Sequence, residues 1–190
     1  TPFIMGIVIS VIMGILLTMP TSSAAIWISV ASPVLTSEPV GSAAYNAMLL
    51  AGGAAVTGCA CHMVGFAVAS FRENGVGGLI SQGIGTSMLQ IPNIMKKPVI
   101  MVPEIISSAI LGPVATCAFK IYCNSSGGGM GTSGLVGVFG IIEASSGKPW
   151  WLITLAIALL MFILPAAISL GVSEFMRKKG VIKFGDMKLD

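Results

Sequence analysis

The sequence predicts an all-α polytopic membrane protein, with about four to five transmembrane helices and glycine-rich segments that are re-entrant or broken. Hydrophobic residues make up 55% of the 190 residues and charged residues only 9%. A soluble domain carries about 25% charged residues, so this chain could not cover its surface in water. Glycine and alanine are abundant, which is typical of helices that pack closely in lipid. The alternating segments of a transmembrane barrel are not visible.

The basic residues predict an orientation. Five of the ten Lys and Arg residues lie in the last fourteen positions: Arg177, Lys178, Lys179, Lys183 and Lys188. By the positive-inside rule, we expect a membrane domain over residues 1–178 and a basic cytoplasmic tail over residues 179–190. No stripe of basic and aromatic residues indicates nucleic-acid binding. The chain opens on Thr-Pro without a basic segment, so we expect part of a longer protein and no cleavable signal peptide.

The first apolar stretch is interrupted. Residues 3–19 are continuously apolar, residues 20–23 (Pro-Thr-Ser-Ser) break the run, and residues 24–35 resume it. One helix through residue 37 would be about 55 Å long, too long for a bilayer core of about 30 Å. Two short spans, or one span plus a re-entrant piece, both fit.

The clearest transmembrane helix covers residues 43–71. Ala54, Gly58 and His62 recur at four-residue spacing within it, a pattern that predicts close contact with a neighbouring helix. Arg72, Glu73 and Asn74 end this span. These three polar residues either cap and anchor the helix or contribute to a binding site or gate.

The second half predicts two further spans. Residues 75–93 are glycine-punctuated and read as a hairpin or an interfacial helix that enters from the cytoplasmic side. Residues 99–122 form the next span, and the last one begins at the aromatic pair Trp150–Trp151 and runs to about residue 172. This topology places most charges inside, namely Arg72, Lys96, Lys97 and the tail, with Lys120 and Lys148 as outer exceptions.

Two glycine-rich segments share a motif. Residues 83–89 and 129–135 both read Gly-x-Gly-Thr-Ser-x-Leu, and seven glycines fall within residues 125–140. Each glycine in a helix interior costs roughly 1 kcal/mol relative to alanine, so both segments should be unwound. One apolar span separates them, and they therefore approach from opposite sides. Such paired breaks are the best sequence indication of a transporter's binding site.

Hydroxyl groups lie at these breaks, where they could bind a polar uncharged solute. Thr86 and Ser87 occupy the first segment, and Thr132 and Ser133 occupy the second. Broken backbone at membrane depth is tolerated where it is buried in protein or lines a cavity. Ordinary flexible loops are the alternative interpretation.

Two ionisable residues lie within predicted spans. His62 is the single histidine, and it is either functional or a neutral imidazole bonded to a neighbouring helix. Glu104 is either a solute-hydroxyl acceptor or proton carrier, or an interfacial carboxylate paired with Lys96 or Lys97. Cys59 and His62 share a helix face, but Cys61 points away and no further ligands cluster nearby. We expect no metal and no cofactor.

The apolar motifs resemble a known family. Residues 8–23, residues 63–90 (through Phe-Arg-Glu-Asn-Gly-Val-Gly-Gly-Leu-Ile-Ser-Gln-Gly) and residues 129–137 are similar to the membrane-embedded IIC permease-like family of the bacterial phosphoenolpyruvate-dependent sugar phosphotransferase system. The branch is the one sometimes labelled perfringolysin-O-regulator-like. The likeness extends to about Lys178, and members of the family are longer.

This resemblance implies a sugar-like solute, transport across the bacterial plasma membrane, partner IIB and IIA subunits that supply the phosphoryl group, and a homodimer. The chain would not be catalytic alone, but at most the membrane subunit of a sugar phosphotransferase. Sugar permeases of the wider system use a histidine and a glutamate near the substrate, and His62 and Glu104 are the candidates here. A membrane-embedded sensor or regulator with a permease-like fold, signalling through its tail, is the alternative.

Overall fold

The computed structural model describes residues 1–190, and 77% of the chain is helical with no strands. The α-helices are α1 (Pro2–Thr18), α2 (Ser23–Ser37), α3 (Ala43–Ala69), α4 (Phe71–Ile80), α5 (Ile91–Lys96), α6 (Val102–Pro113), α7 (Val136–Ala144), α8 (Trp150–Ile157) and α9 (Leu164–Lys178). Wide π-helical turns cover Ser81–Gly85, Val114–Phe119 and Ala158–Ile163, and 3₁₀ turns cover Ser87–Gln90, Pro98–Met101 and Ser133–Leu135.

Three helical stretches are long and apolar enough to cross a membrane. They are Ala43–Ala69, Pro98–Phe119 and Trp150–Lys178. Shorter apolar helices cover Pro2–Thr18, Ser23–Ser37 and Ser133–Ala144. The expected all-α membrane architecture is therefore confirmed. The last helix continues beyond residue 172 to Lys178, and Arg177 in its final turn forms an ion pair with Glu73.

Helix α3 forms the centre of the bundle. Nearly every residue from Leu49 to Ala69 is buried, and α1, α6 and α9 pack around it. Its small residues allow these close approaches. A Cβ atom on Gly58 would lie 2.6 Å from the Cα atom of Ser10 in α1. Gly6 of α1 meets Gly112 of α6 in the same way.

Charged side chains lie at both ends of the bundle. At one end, here called the tail face, Lys97 pairs with Asp186 at 2.6 Å and Arg177 pairs with Glu73 at 2.8 Å. At the other end, the loop face, the Lys148 ammonium lies 4.4 Å from the centre of the Tyr122 ring. The charged residues that the sequence places on the cytoplasmic side thus lie together at the tail face, and the side of the membrane that this face occupies stays a prediction.

Residues 1–37 form two helices with a break between them. Pro2 lies at the loop face, where its carbonyl accepts a hydrogen bond of 2.8 Å from Thr116. Helix α1 ends at Thr18 in the interior, and Ser22 caps α2 by accepting from the amide of Ala25. Helix α2 then returns to the loop face, so this stretch is an interrupted helical hairpin.

Two further segments enter and leave the bundle by the same face. The chain from Ser70 to Lys97, which includes α4 and α5, leaves the tail face and returns to it. The chain between Tyr122 and Ser145 dips in from the loop face, and the Ser145 hydroxyl donates to the Tyr122 carbonyl at 3.1 Å. The expected glycine-rich re-entrant segments are present.

The tail packs back onto the tail face. Ile182 and Met187 are buried, in an apolar cluster that includes Phe66 and Ile94. Residues 179–190 therefore form a folded strap across the end of the bundle.

Candidate functional site

Three helix breaks meet beside the middle of α3. The first is the α1–α2 break at residues 19–22, the second is the Ser81–Gly85 turn with the 3₁₀ turn after it, and the third is the glycine-rich segment before α7. Two of these approach from the loop face and one from the tail face. Their unwound backbone and short hydroxyl side chains form one continuous polar junction.

His62 lies at the α3 side of this junction and is fully buried. Its Nδ1 atom lies 3.1 Å from the Thr18 hydroxyl, which in turn lies 3.1 Å from the Ser87 hydroxyl. The imidazole packs against Gly14, where a Cβ atom would come within 2.8 Å of Nε2. Nε2 itself has no hydrogen-bond partner. His62 therefore joins α3, α1 and the second break, and its Nε2 atom is buried against Gly14 without a hydrogen-bond partner.

The two segments that share the glycine motif bind each other directly. The Thr132 hydroxyl donates to the Gly83 carbonyl at 2.5 Å, and the Ser133 hydroxyl donates to the Gly85 carbonyl at 2.9 Å. Thr86, which follows Gly85, accepts a hydrogen bond from the amide of Met88 and caps the 3₁₀ turn that begins at Ser87. The matched motif thus marks two segments that meet inside the bundle.

The glycines let the third break follow this path. Gly131 and Gly134 have φ angles of +56° and +53°, in the left-handed region that glycine adopts without strain. Leu135 has a φ of +60°, which is uncommon for a residue with a branched side chain. A Cβ atom on Gly131 would lie 2.7 Å from Cys59, so only glycine permits this close approach to α3.

The Pro-Thr-Ser-Ser interruption predicts the first break, but not the residues on other segments that it contacts. The Ser23 hydroxyl donates to the Gly129 carbonyl at 2.7 Å, and the Trp27 indole lies against Gly128 with its Nε1 hydrogen unpaired. Thr18 links His62 to Ser87, as described above. The signal for these residues was the Pro-Thr-Ser-Ser interruption, but nothing in it identifies the partners on distant segments.

Glu104 lies at a different helix contact. It is fully buried where α6 packs against α3 and α9, beside Gly65 and Ser169. Lys97 pairs with Asp186, and Lys96 makes no ion pair, so neither lysine is the partner of Glu104. No hydrogen bond connects Glu104 with His62.

Glu73 and Asn74 hold the tail, whereas Arg72 contacts α9. Glu73 accepts two hydrogen bonds from Arg177, at 2.8 and 3.1 Å. Asn74 donates to the Met187 carbonyl and accepts from the Leu189 amide, both at 2.8 Å. Arg72 makes an exposed ion pair with Glu174. These contacts tie α4 to α9 and to the tail, and a part of the three residues in a binding site or gate stays a prediction.

A chain of amides connects the tail with the second break. Gln82 donates to the Ser70 hydroxyl at 2.9 Å and accepts from Gln90 at 2.7 Å. Gln90 also donates to the Met187 carbonyl at 3.0 Å and accepts from Asn93. Because buried amide networks are costly when only partly satisfied, this one should hold the segment and the tail together.

A cleft of about 560 Å³ opens on the loop face at the base of the glycine-rich segment. Its lining residues include Tyr45, Asn46, Tyr122, Asn124 and Glu143. Asn124 donates to Glu143 at 2.6 Å and accepts from the amide of Gly127. The cleft therefore presents aromatic and hydrogen-bonding groups next to the segment that leads to the junction.

The junction carries no charged nucleophile and no acid–base pair. Its groups are hydroxyls, backbone carbonyls, one indole N–H and one imidazole. Such groups suit a neutral solute with several hydroxyl groups, since each solute hydroxyl can both donate and accept a hydrogen bond.

The family model described as "Phosphotransferase system, EIIC" matches residues 1–189.

The chain belongs to the phosphotransferase system EIIC family. No curated protein and no solved structure matched the chain. Membership makes this EIIC chain a membrane component of a phosphotransferase system, with a role in transport and with other subunits of that system as partners. The motif-based identification of the family is confirmed.

Proposed function

We propose that this EIIC chain carries a small, uncharged, sugar-like solute across the plasma membrane of a bacterium, and that the solute binds at the junction of the three helix breaks. The observation that supports this most is the pairing of Thr132 with the Gly83 carbonyl and of Ser133 with the Gly85 carbonyl. Broken segments that meet from opposite ends of a bundle are the usual site of binding in transporters.

Solute hydroxyls would replace these protein–protein hydrogen bonds. A neutral hydrogen bond contributes only about 1 kcal/mol net, so a polyol can exchange with it at little cost. His62 Nε2 and Trp27 Nε1, both unpaired, would supply further contacts. Ser87 and Thr86 lie on the second break, which would have to move when the solute replaces these hydrogen bonds. The loop-face cleft would admit the solute, and the partner subunit would phosphorylate it at the tail face, on the cytoplasmic side.

The direct test is binding of radiolabelled solutes to the purified full chain, with a panel of neutral hexoses, pentoses and hexitols. Thr132→Val removes a hydroxyl at nearly constant size and should weaken binding about tenfold, a loss of about 1.4 kcal/mol. Thr154→Val is the matched control, because Thr154 is exposed on α8 and bonds only to its own helix. His62→Gln should weaken binding by a similar factor.

The proposal fails if folded protein binds no member of the panel. It also fails if Thr132→Val and Thr154→Val bind the solute equally well. Melting of each variant, monitored by its intrinsic fluorescence, shows that a loss of binding is not a loss of folding.

A sensor role is the second candidate, because the tail is fastened to the second break. Asn74 and Gln90 both bond to the Met187 carbonyl, so a movement of the break would reach residues 179–190. In this case the tail would report solute binding to a partner while no solute crosses the membrane. Releasing the tail would then abolish the partner's response, and the chain would show no solute uptake with or without its tail.

A further inference from the structure

An apolar groove runs along the outside of the bundle, from the tail face to the second break. Its floor is one side of α3, and its walls are α4 with the Ser81–Gly85 turn on one side and the last helix on the other. The groove has two parts, of about 410 and 250 Å³, and Leu79 lines both. Between residues 51 and 69 of α3, Val68 alone is not buried, and it lies in this groove. The groove is therefore the opening through which the central helix is reached from the side.

The side chains along the groove are apolar. Val64 and Val68 form its floor, one helical turn apart on the same side of α3. Ile80 and Ile84 on one wall are 57% and 45% exposed, and Leu170 on the other wall is 42% exposed. A groove of this composition at membrane depth suits a hydrocarbon chain.

The groove is about as long as one leaflet of the membrane is thick. Phe162 lies at its inner end and Glu174 at its mouth, both in the helical stretch Trp150–Lys178. At about 1.5 Å per residue they are about 18 Å apart, close to half of a bilayer core of about 30 Å. Phe162 also lines a separate apolar groove toward the loop face. A groove that ends at mid-membrane matches a lipid chain better than a helix that spans the membrane.

The mouth of the groove carries one charge of each sign. Arg72 and Glu174 line it, and their side chains pair at 3.1 Å. The Arg72 side chain is 64% exposed and has more N–H donors than this contact uses. Lys178 follows Glu174 one turn later in α9 but does not line the groove. A ligand at the mouth therefore meets a guanidinium and a carboxylate side by side.

These two charges select a lipid head group that carries both a phosphate and an amine. A guanidinium binds phosphate oxygens through parallel N–H groups, and a primary ammonium donates charge-assisted hydrogen bonds to a carboxylate. An anionic head group would leave Glu174 without a partner and next to another negative charge. The quaternary ammonium of phosphatidylcholine has no N–H to donate to Glu174.

We propose that this groove binds one phosphatidylethanolamine molecule from the leaflet at the tail face. Its phosphate would bind Arg72, its ammonium would bind Glu174, and one acyl chain would lie along α3. The chain would reach Gly83, whose carbonyl accepts the hydrogen bond from Thr132 at the junction. The lipid would thus support the second break from outside. Its binding is measured without solute and does not depend on the proposed function.

The test is native mass spectrometry of the purified, delipidated full chain, titrated with phosphatidylethanolamine, phosphatidylcholine and phosphatidylglycerol that carry the same acyl chains. We expect one phosphatidylethanolamine per chain, bound about tenfold more tightly than the other two lipids. Arg72→Gln should weaken its binding about tenfold, because charge-assisted hydrogen bonds to the phosphate are lost. Glu174→Gln keeps the shape of the side chain but removes its charge, so phosphatidylethanolamine and phosphatidylcholine should then bind equally well.

Lys96→Gln is the control for charge, because it removes an exposed tail-face cation outside the groove and should leave lipid binding unchanged. Ile80→Trp fills the inner groove and should prevent lipid binding, whereas Ile110→Trp, at an exposed position of α6, should not.

Three outcomes would overturn the proposal. The first is that the unmodified chain binds no phosphatidylethanolamine, or binds all three lipids equally. The second is that it prefers phosphatidylglycerol, which would indicate attraction by the basic tail face alone. The third is that Ile80→Trp changes the oligomeric state and not the number of bound lipids, which would mean that a second copy covers the groove. If Arg72→Gln does not fold, Glu174→Gln and Ile80→Trp decide the question.

Discussion

Single glycines determine how closely the helices of this EIIC chain approach one another. Gly58 lies against the backbone of Ser10, and the space for its side chain is already filled by α1. Lipid provides no hydrophobic force between helices, so such contacts supply much of the packing energy. The helix faces that carry glycine therefore determine which helices pack together, as the apolar core does in a soluble protein.

Gly58→Ala should destabilise the protein, because its Cβ atom cannot fit without moving α1. Overpacking of this kind typically costs about 1–3 kcal/mol. Gly171 is the matched control, since it lies in α9 with nothing within 4 Å of a Cβ atom. Gly171→Ala should stabilise the helix slightly, by up to about 1 kcal/mol. Melting temperatures in detergent should fall for the first variant and hold or rise for the second, and equal effects would contradict this view of the α1–α3 contact.

For single residues, the sequence predicts which helix faces make close contacts better than it predicts which residues meet there. The spacing of Ala54, Gly58 and His62 correctly indicates a close helix contact, because small residues at that interval leave a groove. The hydrogen bond from His62 to Thr18 joins positions 44 residues apart. No local sequence pattern indicates that His62 and Thr18 meet, and the same holds for Glu104 and Ser169.

The elements of the tail face behave as one unit. The Lys97 ammonium and the Lys183 amide both donate to Asp186 Oδ2, at 2.6 Å each. Partial burial raises the pKa of this carboxyl, but the hydrogen bonds from Lys97 and Lys183 outweigh it, so the pKa lies below its usual value of 3.8. Asp186 therefore stabilises the docked tail when it is ionised. That contribution is complete above its usual pKa and is lost as the pH falls through the lowered one.

Asp186→Asn should loosen the tail at neutral pH. The ion pair is partly exposed, so we expect a cost of about 1 kcal/mol or less. Amide exchange at residues 182–187 should then become up to about fivefold faster. Asp190→Asn is the matched control, because Asp190 makes no ion pair in the structure.

The same pair of variants separates the transport and sensor hypotheses. Lowering the pH through the pKa of Asp186 should speed amide exchange in the tail of the unmodified chain and should change exchange less in Asp186→Asn. If the looser tail removes a partner's response and neither chain shows solute uptake, the sensor hypothesis gains support. Equal exchange in both variants would contradict the assigned role of Asp186.

The order of helices and breaks follows from composition, but their exact form depends on the whole molecule. Pro20 and the glycines of residues 127–134 correctly predict breaks, since both residue types disfavour helix, whereas Pro33 and Gly58 lie within helices. The sequence leaves residues 1–37 undecided, and packing of α1 and α2 against α3 resolves them as two helices. The folded tail was not evident, because the few apolar residues of this short stretch, Ile182 and Met187 among them, alternate with charged residues and glycines.

The account as a whole rests on broken segments that reach the centre from opposite sides of the membrane. Single-cysteine variants Ser146→Cys and Met95→Cys place labels at exposed sites of the loop face and the tail face, respectively. Cys117→Ala provides the background, because Cys117 is the exposed native cysteine and the other three are buried. The deciding measurement is labelling of intact cells with a membrane-impermeant maleimide. We expect Ser146→Cys to react and Met95→Cys to react only after the membrane is opened; reaction of both from the same side would contradict the account.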